Sequence, residues 1–244
     1  MSITCRTLVA LSIWIGTVAT PSGCQATEPA STQSDARLES EREQVPIEDF
    51  VRRTYIHGLP YQETAAYGSS VLSKLREMLA DPAEAEHWSN VVVALCILGG
   101  ERELETIQNF IGENGSEALS RASYAAKTNA ITALGYFVFR TESREALDYL
   151  KQGLEPSTWS ERIHWQSPYH SSPEERNVQL AQMSVMALAL SGHPEGRAAL
   201  EDLKTEATRS GGISEINNLL DEAIETNAFV RREGLARYLV QRTP

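Results

Sequence analysis

Cysteine is scarce: Cys5, Cys24 and Cys96 are the only three in 244 residues. Two of them precede the part expected to fold, so Cys96 stands alone there and no intramolecular disulfide can staple the domain. Its neighbours, Val91-Val92-Val93-Ala94-Leu95 and Ile97-Leu98, are apolar. Such surroundings keep a thiol protonated and inert, which places Cys96 in the core. Histidine is also sparse. None of His57, His87, His164, His170 and His193 lies three or four residues from another, so no helix face pairs two imidazoles for a metal. There is no Gly-x-Ser-x-Gly elbow, no Gly-x-x-x-x-Gly-Lys-Ser/Thr phosphate loop and no Gly-x-Gly-x-x-Gly turn. The usual signatures of acyl transfer, nucleotide hydrolysis and dinucleotide binding are therefore missing. Positive charge is in deficit, with 22 Lys and Arg against 33 Asp and Glu, a net −11. A surface of that sign repels phosphate backbones and argues against nucleic acid as a partner. The local reversal is at the end, where Arg231, Arg232, Arg237 and Arg242 oppose Glu233, as cations do near the C-terminal carbonyls of a helix. Elsewhere acids fall at helical spacing from Arg or Lys, as Glu39 does from Arg42 with Glu43 beside it, which describes solvated surface rather than an acid/base pair. No catalytic, cofactor-binding or metal-ligating set emerges, so no cofactor is expected.

The beginning of the chain reads as an export signal. Arg6 is followed by the apolar run Leu8 to Val18, long enough for a secretory h-region and short of the ~20 residues that span a bilayer. Next comes Thr20-Pro21-Ser22-Gly23-Cys24. Small residues leading to a cysteine resemble the lipobox of bacterial lipoproteins. That resemblance implies removal of residues 1–23, lipid attachment at Cys24, and residence in the periplasm or at the outer membrane; the alternative is plain export with cleavage near Gln25-Ala26. Residues 24–46 contain no aromatic side chain and are dominated by Thr, Ser, Gln, Glu and Pro. They cannot bury enough apolar surface to offset their ordering entropy, so they read as a disordered tether.

From Ile47 to the end the pattern is helical. About 200 residues suffice for one domain that buries ~70% of its unfolded surface, and Ala, Leu and Glu abound beside five Phe and four Trp. A first short helix covers Ile47 to Tyr55 and a second covers Glu63 to Ala80. Hairpins follow at Trp88–Leu98 with Arg102–Ile111, Glu117–Phe139 with Arg144–Leu154, Glu175–Leu190 with Pro194–Ala207, and Ile213–Glu225 with Asn227–Val240. The Gly99-Gly100 pair is expected to supply a left-handed turn. Three units share an Ala-Leu pair near the end of their first helix: Ala94-Leu95, Ala133-Leu134 and Ala187-Leu188. The first interval is 39 residues; the second is 54, or near 40 once an insertion at 155–173 is set aside. An Ala-Leu pair, a turn with Gly or a polar pair, and a second helix with a Leu stripe resemble the HEAT family, over residues 85–207. The resemblance implies an all-α fold, a short α-solenoid of about four to five antiparallel helical hairpins, and a non-enzymatic scaffold or protein–protein interaction module. Some HEAT-repeat enzymes bind di-iron through His-Glu dipeptides, and this chain has none.

Two places stand out as candidate partner sites. The insertion holds Trp159, Arg162, His164, Trp165, Tyr169 and His170 within a few turns of chain. Its aromatics either project to a protein, peptide or glycan partner, the last two as in an enzyme or enzyme accessory, or fold back to cover the seam between hairpins. Asn90 and Asn129 each stand four residues before an Ala-Leu pair, with Met183 at the third position. One helical turn separates each Asn from its Ala, so the amides share the packing face. There they either line an inner surface that binds an extended periplasmic peptide or hydrogen-bond free backbone groups between helices.

Overall fold

The computed structural model describes residues 45–113, 118–210 and 214–242. The leader, Cys24 and the tether lie outside the described residues, as do Gly115, Ser116, Gly211, Gly212 and the side chain of Arg242. The fold is all-α: among the described residues there is no strand, and the single isolated bridge joins Ala118 and Gln166. The helices are α1 (Ile47–Val51), α2 (Tyr61–Ala65), α3 (Leu72–Ala80), α4 (Trp88–Leu98), α5 (Glu101–Gly112), α6 (Arg121–Thr141), α7 (Arg144–Gln152), α8 (Thr158–Arg162), α9 (Pro173–Ser191), α10 (Pro194–Arg209), α11 (Ser214–Glu233) and α12 (Leu235–Arg242). Short 3-10 turns precede α3 and α4.

Local chemistry sets most of these boundaries. Ser120, Ser143 and Ser172 cap α6, α7 and α9 by accepting the N–H groups of Ser123, Ala146 and Glu175. His193 Nδ1 does the same for Glu195 at the start of α10, where Pro194 occupies the first turn. Gly192, at φ 57°, ends α9 in the left-handed conformation that glycine adopts without a Cβ penalty. Three expectations need correction. The Glu63–Ala80 helix is broken at Gly68 (φ 70°), because the Ala65–Ser70 stretch carries no apolar stripe to hold it. The last hairpin does not turn near Thr226: α11 runs on to Glu233 and turns at Gly234 (φ 87°), since Thr226, Asn227 and Val230 are buried against α9. Gly99 is not left-handed (φ −70°). It is needed for space, as a Cβ there would sit 2.6 Å from Leu95 O and 2.7 Å from Glu103 Cβ.

Packing divides the hairpins into two layers. The first helices, α4, α6, α9 and α11, contact one another in that order and make the most extensive interfaces of the fold. Their contact surfaces are built from small side chains, including Ala94, Ala130, Ala133 and Ala187, all at most 2% exposed. At the centre Gly135 of α6 meets the backbone of α9, where an added Cβ would lie 2.3 Å from Ala187 O. The second helices, α5, α7 and α10, each pack on the helices beside them in the first layer but barely on each other. Between α7 and α10 the link is partly ionic, with Arg144 2.6 Å and Lys151 3.3 Å from the Glu195 carboxylate. Helices that approach more closely in one layer than in the other bend the row toward the closer layer. The consequence is visible at the ends, because α12 reaches α2. A small hydrophobic cluster of Leu190, Val230 and Leu235, with Tyr61, Tyr136 and Leu239 against it, fills that junction apart from the main core. Cys96 is completely buried, and burial pushes its thiol pKa well above the ordinary range.

Lys127 is a buried cation that sequence periodicity did not single out. It lies on α6 at 1% exposure. Its ammonium donates to Phe110 O and, at 2.6 Å, to Glu113 O, carbonyls at the C-terminal end of α5, and it stands 4.6 Å from the centre of the Phe110 ring. The carbonyl end of a helix favours a cation, yet desolvation still holds the Lys127 pKa down to about 8. The folded state therefore releases this proton before the unfolded chain does, and the unfolded chain binds the extra proton between about pH 8 and the ordinary lysine value near ~10.4. Stability contributed by this site is lowest below pH 8 and rises across that window. Urea denaturation of wild type and Lys127→Met should show the difference between them shifting in favour of wild type from pH 8 to pH 10. A difference that stays flat would mean the ammonium is not desolvated.

Candidate functional site

The junction of α2 with α12 turns the exposed edges of α4 and α6 into the floor of a walled groove of about 620 Å³. From α6 come Asn129, Thr132, Ala133 and Tyr136, spaced so that one helix face carries them all. Ser89, Asn90 and Val93 of α4 lie alongside. One wall is the segment from Tyr55 to Glu63, and the other is Ala236, Leu239 and Val240 of α12. Among the lining residues Glu63 is the only Asp, Glu, Lys or Arg, in a chain of which 23% is charged. The groove is thus mostly apolar and aromatic, with a few uncharged polar groups, and close to neutral.

Three tyrosines shape it. Tyr55 is tilted against Phe50 at 5.5 Å and donates to Phe50 O at 3.0 Å. Tyr61 and Tyr136 meet edge to face at 6.0 Å across the groove. Burial raises the pKa of Tyr55 and Tyr61 and pushes that of Tyr136 up to about 12. All three phenols are therefore neutral at physiological pH.

The two asparagines prove unlike. Asn90 Nδ2 donates to Val51 O (2.8 Å) and Arg53 O (3.0 Å), so its amide ties down the carbonyls at the end of α1 and holds the wall segment against α4. The side chain of Asn129 is exposed and makes no hydrogen bond among the described residues, and the residue lines the groove. Sequence spacing missed the true structural equivalent of Asn90. That residue is Asn227, fully buried on α11, whose Nδ2 donates to Leu188 O (2.7 Å) and His193 O (3.3 Å) at the end of α9. A 39-residue separation between donor and carbonyl recurs in both, and a search for Asn one repeat after a helix end would have found it. Met183, the third position of the spacing, instead places its sulfur 3.5 Å from the Thr132 hydroxyl.

None of the six insertion residues lines the groove. Trp159 and Trp165 are completely buried, so neither is a surface anchor. The reason is that each closes a hairpin end. Trp159 packs on Tyr149 at 6.0 Å and donates its indole N–H to Gly153 O at 2.9 Å. Trp165 packs on the edge of Tyr124 at 5.9 Å and donates to Ile111 O at 2.7 Å, another carbonyl of the last turn of α5. Arg162 is also engaged: its guanidinium stacks 3.9 Å over Tyr149 and donates to Tyr149 O (2.9 Å) and Gln152 Oε1 (2.8 Å). From α9, the buried Arg176 donates to Trp165 O and to Asn177 Oδ1, pinning the segment from the other side. His164 is exposed, as is Tyr169, whose ring meets Tyr124 at 5.2 Å. His170 is partly buried, which lowers its pKa. Its Nδ1 lies 2.7 Å from Ser167 Oγ, but that hydroxyl also accepts Tyr169 N–H at 3.1 Å, the pattern of a local turn rather than of an activated nucleophile.

A second concavity, of about 590 Å³ between α10 and α11, is bounded by charges already paired, Lys204 with Asp221 and Arg209 with Glu206. Among the described residues no group of His, Cys, Asp and Glu is placed to hold a metal, and no helix is long and apolar enough to cross a membrane. No protein family, curated protein or solved structure matches this chain.

Proposed function

We propose that residues 47–244 form a short HEAT-like α-solenoid that acts as a non-enzymatic protein-binding module of the bacterial cell envelope, holding an extended segment of a partner protein in the groove between α2 and α12. The repeat reading is supported by the row α4–α6–α9–α11, in which α4, α6 and α9 are each followed by a second-layer partner, α5, α7 and α10, and by the recurring Ala-Leu pairs of those three helices. The envelope placement is supported by the export-type leader and the lipobox-like run ending at Cys24. Burial of Trp159 and Trp165 weighs against the competing idea of a glycan or peptide site on the 155–173 segment, in an enzyme or an enzyme accessory.

The observation that carries the proposal is Asn129. Asn90 and Asn227 spend their Nδ2 groups on backbone carbonyls at earlier helix ends. Asn129 presents an unpartnered amide, able to donate twice and accept, at the floor of a near-neutral concavity. Such an amide matches a peptide bond. Selection from a displayed random-peptide library should yield binders of the wild-type protein, and Asn129→Lys should weaken them by about tenfold or more through lost hydrogen bonds and a cation set against the ligand. Its melting temperature should be unchanged, because the position is exposed. Peptides that bind wild type and Asn129→Lys equally would remove the groove from consideration.

A further inference from the structure

We infer that the segment held in this groove is an uncharged, proline-rich strand in the polyproline II conformation. The inference rests on the groove being the binding site, as proposed above, and proceeds by asking which general modes of peptide recognition its chemistry permits. Strand addition needs a sheet edge, and among the described residues there is no strand. A helical ligand needs a continuous apolar floor for its apolar stripe, whereas Ser89, Asn90, Asn129 and Thr132 interrupt the floor here. Acidic or phosphorylated ligands need clustered Arg or Lys, and none lines the groove. A ligand rich in Lys or Arg would need acids, and Glu63 is alone.

What the groove does offer is aromatic rings separated by uncharged hydrogen-bonding groups. Tyr55, Tyr61 and Tyr136 supply ring faces and edges; Asn129 and Gln62 supply amides. A polyproline II strand has no internal hydrogen bonds and no N–H at its prolines, so its carbonyls need donors from the partner and its pyrrolidine rings need flat apolar platforms. It also arrives already ordered, which reduces the entropy lost on binding. Near-neutrality of the lining fits a ligand without charge, since a charged side chain would be desolvated there without a counterion.

The test is titration of the full chain with capped decaproline, followed by backbone amide NMR. The comparisons are a capped peptide alternating Glu and Pro, a neutral Ala- and Gln-rich helical peptide, and chitohexaose as a neutral glycan. Decaproline should shift amides of α4, α6 and the 55–63 segment, and Asn129→Lys should weaken it by about tenfold or more. The Glu-Pro peptide should bind at least about tenfold more weakly than decaproline, and the helical peptide and chitohexaose should leave the groove amides unmoved. Decaproline that moves no groove amide, or binds no better than the Glu-Pro, helical or glycan probe, overturns the inference. If library-selected peptides still bind in an Asn129-dependent way in that event, the groove stands and only its ligand is wrong. If they do not, both proposals fall together.

Discussion

Trp165→Ala will be strongly destabilising, lowering stability by about 4 kcal/mol. The side chain is completely buried, and removing a buried indole loses its transfer free energy and leaves a cavity. It also deletes the 2.7 Å hydrogen bond to Ile111 O, which adds ~1 kcal/mol by leaving a buried carbonyl at the end of α5 without its donor. Nothing nearby can take over. Lys127 is committed to Phe110 O and Glu113 O, and Arg176 relies on Trp165 O for one of its own partners. In a domain of this size such a loss corresponds to a fall of about 10 °C in melting temperature. Trp165→Phe should recover the packing but not the hydrogen bond and fall between the two. If Trp165→Ala melts within a degree of wild type, the insertion is not the cover of the α5 and α6 ends described above.

Gly135→Ala will also be costly, for the opposite reason. In an isolated helix alanine is favoured over glycine by ~1 kcal/mol. Here the new methyl would lie 2.3 Å from Ala187 O and 3.0 Å from its C and Cα. Those are backbone atoms of a neighbouring helix and cannot rotate away, so α6 and α9 must separate. Overpacking of this kind costs ~1–3 kcal/mol and more where backbone must move, so a net loss of ~2 kcal/mol is expected despite the gain in propensity. The separation would also relax the bend of the first layer and draw α12 from α2. Gly100→Ala is the control, because its Cβ would meet only Glu103 Oε2 at 3.9 Å and should cost under ~1 kcal/mol as a helix cap. Thermal melts of both variants distinguish the cases. A neutral or stabilising Gly135→Ala would mean that the close approach of α6 and α9 is not what shapes the domain.

These two residues mark how far the sequence could be read. Periodicity located the longer helices, because apolar spacing acts within one stretch of chain, but it missed the five-residue α2 and α8. The Ala-Leu pairs at 94, 133 and 187 signalled a repeated interface for an equally local reason, as small side chains at helical spacing have little other use. Roles that depend on distant backbone were not legible. Gly135 looks like any glycine in a helix until Ala187 is placed against it, and the value of Gly99 lies in clearance from Leu95 and Glu103 rather than in its dihedrals. Trp159 and Trp165 share a composition that suits a binding loop or a cover, and only the carbonyls of Gly153 and Ile111 decide between them. The groove was the least visible element. Its walls come from residues 55–63 and 236–240, far apart in sequence and without a shared pattern, brought together by the accumulated bend of the helices between them.

That bend and the groove it closes are the centre of the account, and a crystal structure of the protein with a library-selected peptide tests them most directly. The peptide is predicted to lie extended across α4 and α6, between the Tyr55–Glu63 wall and α12, with a backbone amide or carbonyl hydrogen-bonded to Asn129. A peptide seated instead on the Tyr169 and His170 surface, or along α5, α7 and α10, would contradict it.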